Sequence, residues 1–183
     1  MKIKLLFTAF LFGILALTTI AQAQKQPRNV REFFNLLPQR YFMLEGCAAN
    51  PTKQNCDKAR RAYVENFLEV EDTANGYWKS GCDGAQSCLT MALFKRPNGT
   101  YIVALKKEFE MGTDNYFLEY KNGRWSNISR EVITNFSDQN IYELTRKGTT
   151  VEVFQKDKSS EIGERGKKLY ALVWKNGKFS VKR

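Results

Sequence analysis

Histidine is absent from all 183 residues. That absence excludes Ser-His and Cys-His nucleophile pairs and carboxylate–histidine–metal sites. No Cys-x-x-Cys occurs, so neither a thiol oxidoreductase motif nor a paired-cysteine zinc site is present. Beyond Ile20 no run is apolar enough to cross a bilayer, which takes about 20 residues. The stretch Glu71 to Gly76 has the look of a calcium loop, but counting from its glycine puts Thr73 third and Cys82 twelfth, where a bidentate glutamate is needed. Carboxylate pairs remain, yet Glu69, Glu71, Asp72 and Asp83 cluster in a polar hairpin and no spacing rule selects two of them. No catalytic residue, metal ligand or cofactor-binding motif stands out, and an enzyme ranks third among the functions considered.

What is present begins with a leader. Met1 to Lys4 carries two lysines and no acid, Leu5 to Ile20 is almost wholly apolar, and Ala21-Gln22-Ala23 has the small-x-small form of a cleavage site. Residues 1–23 therefore read as a cleaved signal peptide, and the chain as exported to a periplasmic or extracellular setting. The first cysteine is Cys47, so no lipid-bearing cysteine follows the cut. The leader holds two of the 29 Lys and Arg residues and none of the 19 acids, so the net charge falls from +10 to +8 on its removal. A basic balance attracts anionic partners over long range. The basic residues are nevertheless scattered along the sequence, and the one tight cluster, Lys58-Ala59-Arg60-Arg61, falls within an expected helix.

Four cysteines in an exported chain read as two disulfides. Three connectivities are possible. The short separations favour Cys47 with Cys56 and Cys82 with Cys88.

Asn29 can cap a short helix bearing Val30, Phe33, Phe34 and Leu37, stopped by Pro38. A second helix is expected from Asn50-Pro51, with Cys56, Ala59, Tyr63 and Phe67 on a face that packs on a sheet. From about Val70 the period changes to two. Turn signals then recur at Arg96-Pro97-Asn98-Gly99, Asn122-Gly123, Lys147-Gly148 and Asn176-Gly177, and Asn-Gly accepts the positive φ of tight hairpins. Two stretches also match each other: Tyr120-Lys121-Asn122-Gly123-Arg124-Trp125-Ser126 and Trp174-Lys175-Asn176-Gly177-Lys178-Phe179-Ser180. The expected fold class is α+β, mainly antiparallel β, in a single domain over 24–183. A helical part (24–69) precedes a lead-in strand and disulfide loop (70–88), then two four-stranded meanders at 89–130 and 141–183, related by duplication or, alternatively, alike through convergent hairpin chemistry. The alternative is an all-β barrel or sandwich with a helical N-terminal extension.

The segments Asp72-Thr73-Ala74-Asn75-Gly76-Tyr77, Asp83-Gly84-Ala85, Met91-Ala92-Leu93-Phe94-Lys95-Arg96 with Asn98-Gly99, and Tyr120 to Trp125 resemble a family of small exported bacterial proteins of unassigned function. The resemblance covers roughly Val70 to Phe179 and rests on turn and strand chemistry. It implies an envelope or extracellular setting and no particular activity. The family pattern does not require the four cysteines, which leaves them a structural role.

The reading that results is a non-catalytic binding module for an anionic or glycan-like envelope partner, with Tyr77, Trp78, Lys79, Arg124 and Trp125 as the candidate surface. Aromatic faces beside cations stack on sugars or bases. Because alternate strand residues face inward, about half of these five belong to the core. Nucleic acid is disfavoured as a partner. The alternative is an inhibitor or interaction protein directed at another exported protein, which resembles beta-lactamase inhibitory proteins only in having repeated helices and sheet.

Overall fold

The computed structural model describes residues 26–82, 87–110, 112–157 and 165–182. The expected leader lies outside them, as does the tip of the second disulfide loop. Among the described residues the chain runs α1 (Val30–Leu36), α2 (Glu45–Ala48), α3 (Lys53–Phe67), β1 (Leu68–Asp72), β2 (Tyr77–Ser80), β3 (Cys88–Lys95), β4 (Tyr101–Phe109), β5 (Gly112–Lys121), β6 (Arg124–Asn127), α4 (Ser129–Val132), β7 (Asn140–Leu144), β8 (Thr150–Lys156), β9 (Arg165–Lys175) and β10 (Lys178–Val181). The strands form two open antiparallel sheets. One has six strands in the order β1-β2-β3-β4-β5-β6, the other four in the order β10-β9-β8-β7. Neither sheet closes on itself, so the barrel alternative is set aside.

The six-stranded sheet is buried on both faces, and its central strands show why. Leu89 to Phe94 and Ile102 to Leu105 are almost continuously apolar, the pattern of a strand with no wet side. Leu89, Met91, Val103, Leu105 and Leu118 pack against Val30, Phe33 and Phe34 of α1. Ala92, Phe94, Ile102, Ala104 and Phe117, on the opposite face, pack against Tyr142, Val151, Val153, Leu172, Trp174 and Phe179 of the second sheet. Burying a single Leu, Ile, Phe or Met contributes about 1.5–3 kcal/mol. The register partners Ala92 and Ala104 are small enough to let the second sheet come close.

The free edge of β7 is closed by β5. Asn115 accepts from the Tyr142 amide at 3.1 Å and donates through Nδ2 to the Asn140 carbonyl at 3.2 Å. A side-chain amide thereby occupies backbone groups that an open edge offers to other chains. Beside it Lys106, with a side chain only 7% exposed, bridges Glu108 of its own strand and Glu143 of β7.

Several boundaries differ from expectation. The first meander belongs to a larger sheet, because β1 pairs with β2 and β2 with β3. Helix α3 is capped by the Thr52 hydroxyl, which accepts from the Asn55 amide, and not by Asn50. The Asn55 side chain donates back to the Asn50 carbonyl at 3.2 Å. Of the α3 stripe expected to pack on a sheet, only Tyr63 is buried, and its ring lies against Phe34 and Phe42. Both disulfides are local, Cys47–Cys56 and Cys82–Cys88.

Candidate functional site

The five residues expected to form one surface do not come together. β2 and β6 are separated by three strands, a distance of about 19 Å at the usual strand spacing. Tyr77 is buried toward the second sheet. Trp78 is fully buried beneath α1, stacked on Phe34 at 4.6 Å, with its indole N–H donating to Ser80 Oγ at 2.7 Å and the Arg31 guanidinium over its ring. Neither belongs to an exposed surface, because both faces of this sheet are covered. Lys79 is held by Glu69 at 2.8 Å, a bond that raises its pKa. Arg124 is exposed. Trp125 is half-buried against Phe33 and Tyr120, and its indole N–H donates to the Leu36 carbonyl at 2.8 Å.

Arg124 lies instead in a different constellation. In an antiparallel sheet of consecutive strands, alternate turns fall at the same end. The β1–β2, β3–β4 and β5–β6 turns therefore share one pole of the first sheet. Two bonds bring the second sheet's turns to that pole. Arg146 of the β7–β8 turn donates to Asp72 at 2.8 Å, and Trp174, which leads into the β9–β10 turn, donates through Nε1 to the Lys95 carbonyl at 2.8 Å.

The turns at this pole are basic. Lys95, Lys121, Arg124, Lys147, Lys175 and Lys178 are all exposed. Arg28 joins Lys95 and Tyr101 around a pocket of about 310 Å³. None of these cations makes an ion pair among the described residues, whereas every acidic residue carried by a described strand does. Asp72 at the pole is occupied by Arg146 and Asn75, whose hydrogen bonds hold its carboxyl down to about 2.

Two hairpins depart from what stability alone favours. Lys121 is the register partner of Arg124, and Lys175 of Lys178. Like charges placed directly opposite across two strands destabilise the pair. The backbone between them is a tight turn with positive φ at both residues, 50° and 76° at Asn122-Gly123 and 52° and 82° at Asn176-Gly177. Such tight tips fix where these side chains leave the backbone.

In the sequence the basic residues are scattered, and their one tight cluster, Lys58-Ala59-Arg60-Arg61, is expected on the exposed face of a helix. That helix does not present it as one, since Arg60 turns inward to donate to the Phe34 and Leu37 carbonyls, and burial lowers its pKa. The usable signal was the position of Lys or Arg on either side of each Asn-Gly. Among the described residues no group of three or more Cys, Asp or Glu side chains is arranged to hold a metal ion. Comparison with protein-family models, curated proteins and solved structures finds no match to this chain.

Proposed function

We propose that this protein is an exported, non-catalytic binding module that docks an anionic, glycan-like partner of the cell envelope on the basic pole formed by its hairpin turns. The observation that carries the reading is the pair of like-charged register partners, Lys121 with Arg124 and Lys175 with Lys178. Local rules are broken most often where function requires it, and a bound polyanion relieves the repulsion that both hairpins carry. Tyr101, half-buried beside Lys95 and Arg28, adds an aromatic side chain to this basic pocket. The two disulfides support an oxidising compartment.

The equivalent positions of Tyr120–Trp125 and Trp174–Phe179, register partners beside the two Asn-Gly turns with ring centroids 5.2 and 4.9 Å apart, support descent of the two hairpins by duplication. A second reading, an interaction protein directed at another exported protein, rests on Leu169 and Val181, which are 43% and 58% exposed on β9 and β10.

The test is a titration with polygalacturonate at rising salt. Screening shortens from about 10 Å at 0.1 M to about 3 Å at 1 M, so affinity should fall steadily. The charge reversals K121E/R124E and K175E/K178E should each weaken binding with the fold unchanged. Binding that ignores both salt and the reversals would favour the second reading.

A further inference from the structure

A second site lies away from the basic pole, between α2 and α3. It is a cleft of about 570 Å³ lined in similar measure by apolar groups, chiefly Ala59, Ala62 and Phe67 over a floor of buried Phe42 and Tyr63, and by polar ones, and Met43 beside it is 69% exposed. The volume falls in the range of small-molecule sites. The space exists because α3 presents Ala59 and Ala62 here in place of larger side chains. Its walls are held together by the Cys47–Cys56 disulfide, which joins α2 to α3, and by close packing of Gly46 on Ala59, where an added Cβ would stand 3.4 Å from the alanine methyl.

The charges on the two walls restrict the occupant. Glu45 stands on α2 and Lys58 on α3, both lining the cleft and both exposed. Among the described residues neither makes an ion pair, with each other or with any other group. An amphiphile with a purely anionic head meets Lys58 but is opposed by Glu45, and one with a purely cationic head meets the reverse. Only a head that carries both charges satisfies both walls, and this kind of exclusion is how a site discriminates. We infer that the cleft binds a single-chain zwitterionic amphiphile, its chain along Ala59, Ala62 and Phe67 beside Met43, its anionic group toward Lys58 and its cationic group toward Glu45.

The experiment is calorimetric titration of the disulfide-intact protein with dodecylphosphocholine below its micellar concentration, beside dodecyl sulfate and dodecyltrimethylammonium, at low salt, since high salt would screen Glu45 and Lys58 as well, with K121E/R124E run alongside to reveal any binding at the basic pole. The zwitterion should bind most tightly, by about fivefold over either singly charged probe, the upper end for one exposed charge pair. Lys58→Gln should erase the preference over dodecyltrimethylammonium, and Glu45→Gln the preference over dodecyl sulfate. Ala62→Trp, with circular dichroism unchanged, should abolish binding of all three by filling the cleft, and K175E/K178E should leave it intact. Equal affinity for the three probes, tightest binding of dodecyl sulfate, or binding that survives Ala62→Trp would overturn the proposal. If Ala62→Trp fails to fold, Ala62→Leu provides the same test with a smaller side chain at the same exposed position.

Discussion

Trp174 donates its indole N–H to the carbonyl of Lys95, 2.8 Å away, and so fastens a turn of the second sheet to a turn of the first. The ring packs at the same time on Phe94 and Phe179, which makes one residue both core and tie. Trp174→Phe keeps an aromatic in place and removes the donor. Loss of one partner from a half-buried hydrogen bond should cost about 1–3 kcal/mol in urea unfolding. If the bond also aligns the turn cations, polygalacturonate affinity should fall more for this variant than for a core variant of equal stability.

Phe179 and Trp125 hold equivalent places after their Asn-Gly turns, but the structure gives them different surroundings. Phe179 is 6% exposed among Phe94, Phe117 and Trp174, whereas Trp125 lies half-buried at the edge of the helical layer. Phe179→Ala should cost about 3–5 kcal/mol. Trp125→Ala should cost less, because part of that ring already meets water. Equal losses by chemical denaturation would contradict this placement.

Asp72 links acid stability to the basic pole. Its carboxyl, held at about 2 by Arg146 and Asn75, lies below the ordinary value of about 3.9 expected in the unfolded chain. A depressed folded value stabilises the protein above the unfolded one, and that contribution is lost as pH falls from about 4 through about 2. Arg146→Ala should move the Asp72 titration, followed by carboxyl NMR, upward toward the ordinary range. The same variant should flatten the acid limb of the stability curve.

Removal of the Cys47–Cys56 bridge by Cys47→Ser with Cys56→Ser should lower stability by about 2–3 kcal/mol on the chain-entropy model for so short a loop. It should also abolish dodecylphosphocholine binding, because the α2 wall loses its anchor. Peptide mapping without reduction should recover only the 47–56 and 82–88 crosslinks in the unaltered protein.

Much of this molecule was legible in the residue order, for local reasons. A period of two with Asn-Gly between strands admits little but antiparallel hairpins, and cysteines nine and six residues apart close small loops without help from the rest of the chain. What covers each strand face is not local. Tyr77 and Trp78 are consecutive and point to opposite sides of one strand, yet both are buried, because α1 lies on one side of the sheet and the second sheet on the other. No pattern within β2 announces that second cover. The basic pole is likewise a product of the tertiary structure. Each Lys or Arg beside its turn looks like an isolated solubilising charge until antiparallel pairing brings alternate turns to one end, and the Trp174–Lys95 and Arg146–Asp72 bonds dock the second sheet's turns beside the first's. The sequence by itself determined most strands, the turns and the short-range disulfides, since these depend on neighbours within a few residues, but not β1, which begins inside the stretch expected to be helical, nor the short α2 and α4. Only the tertiary structure decided which side chains meet water and which charges stand together, since those depend on how two sheets and a helical layer stack.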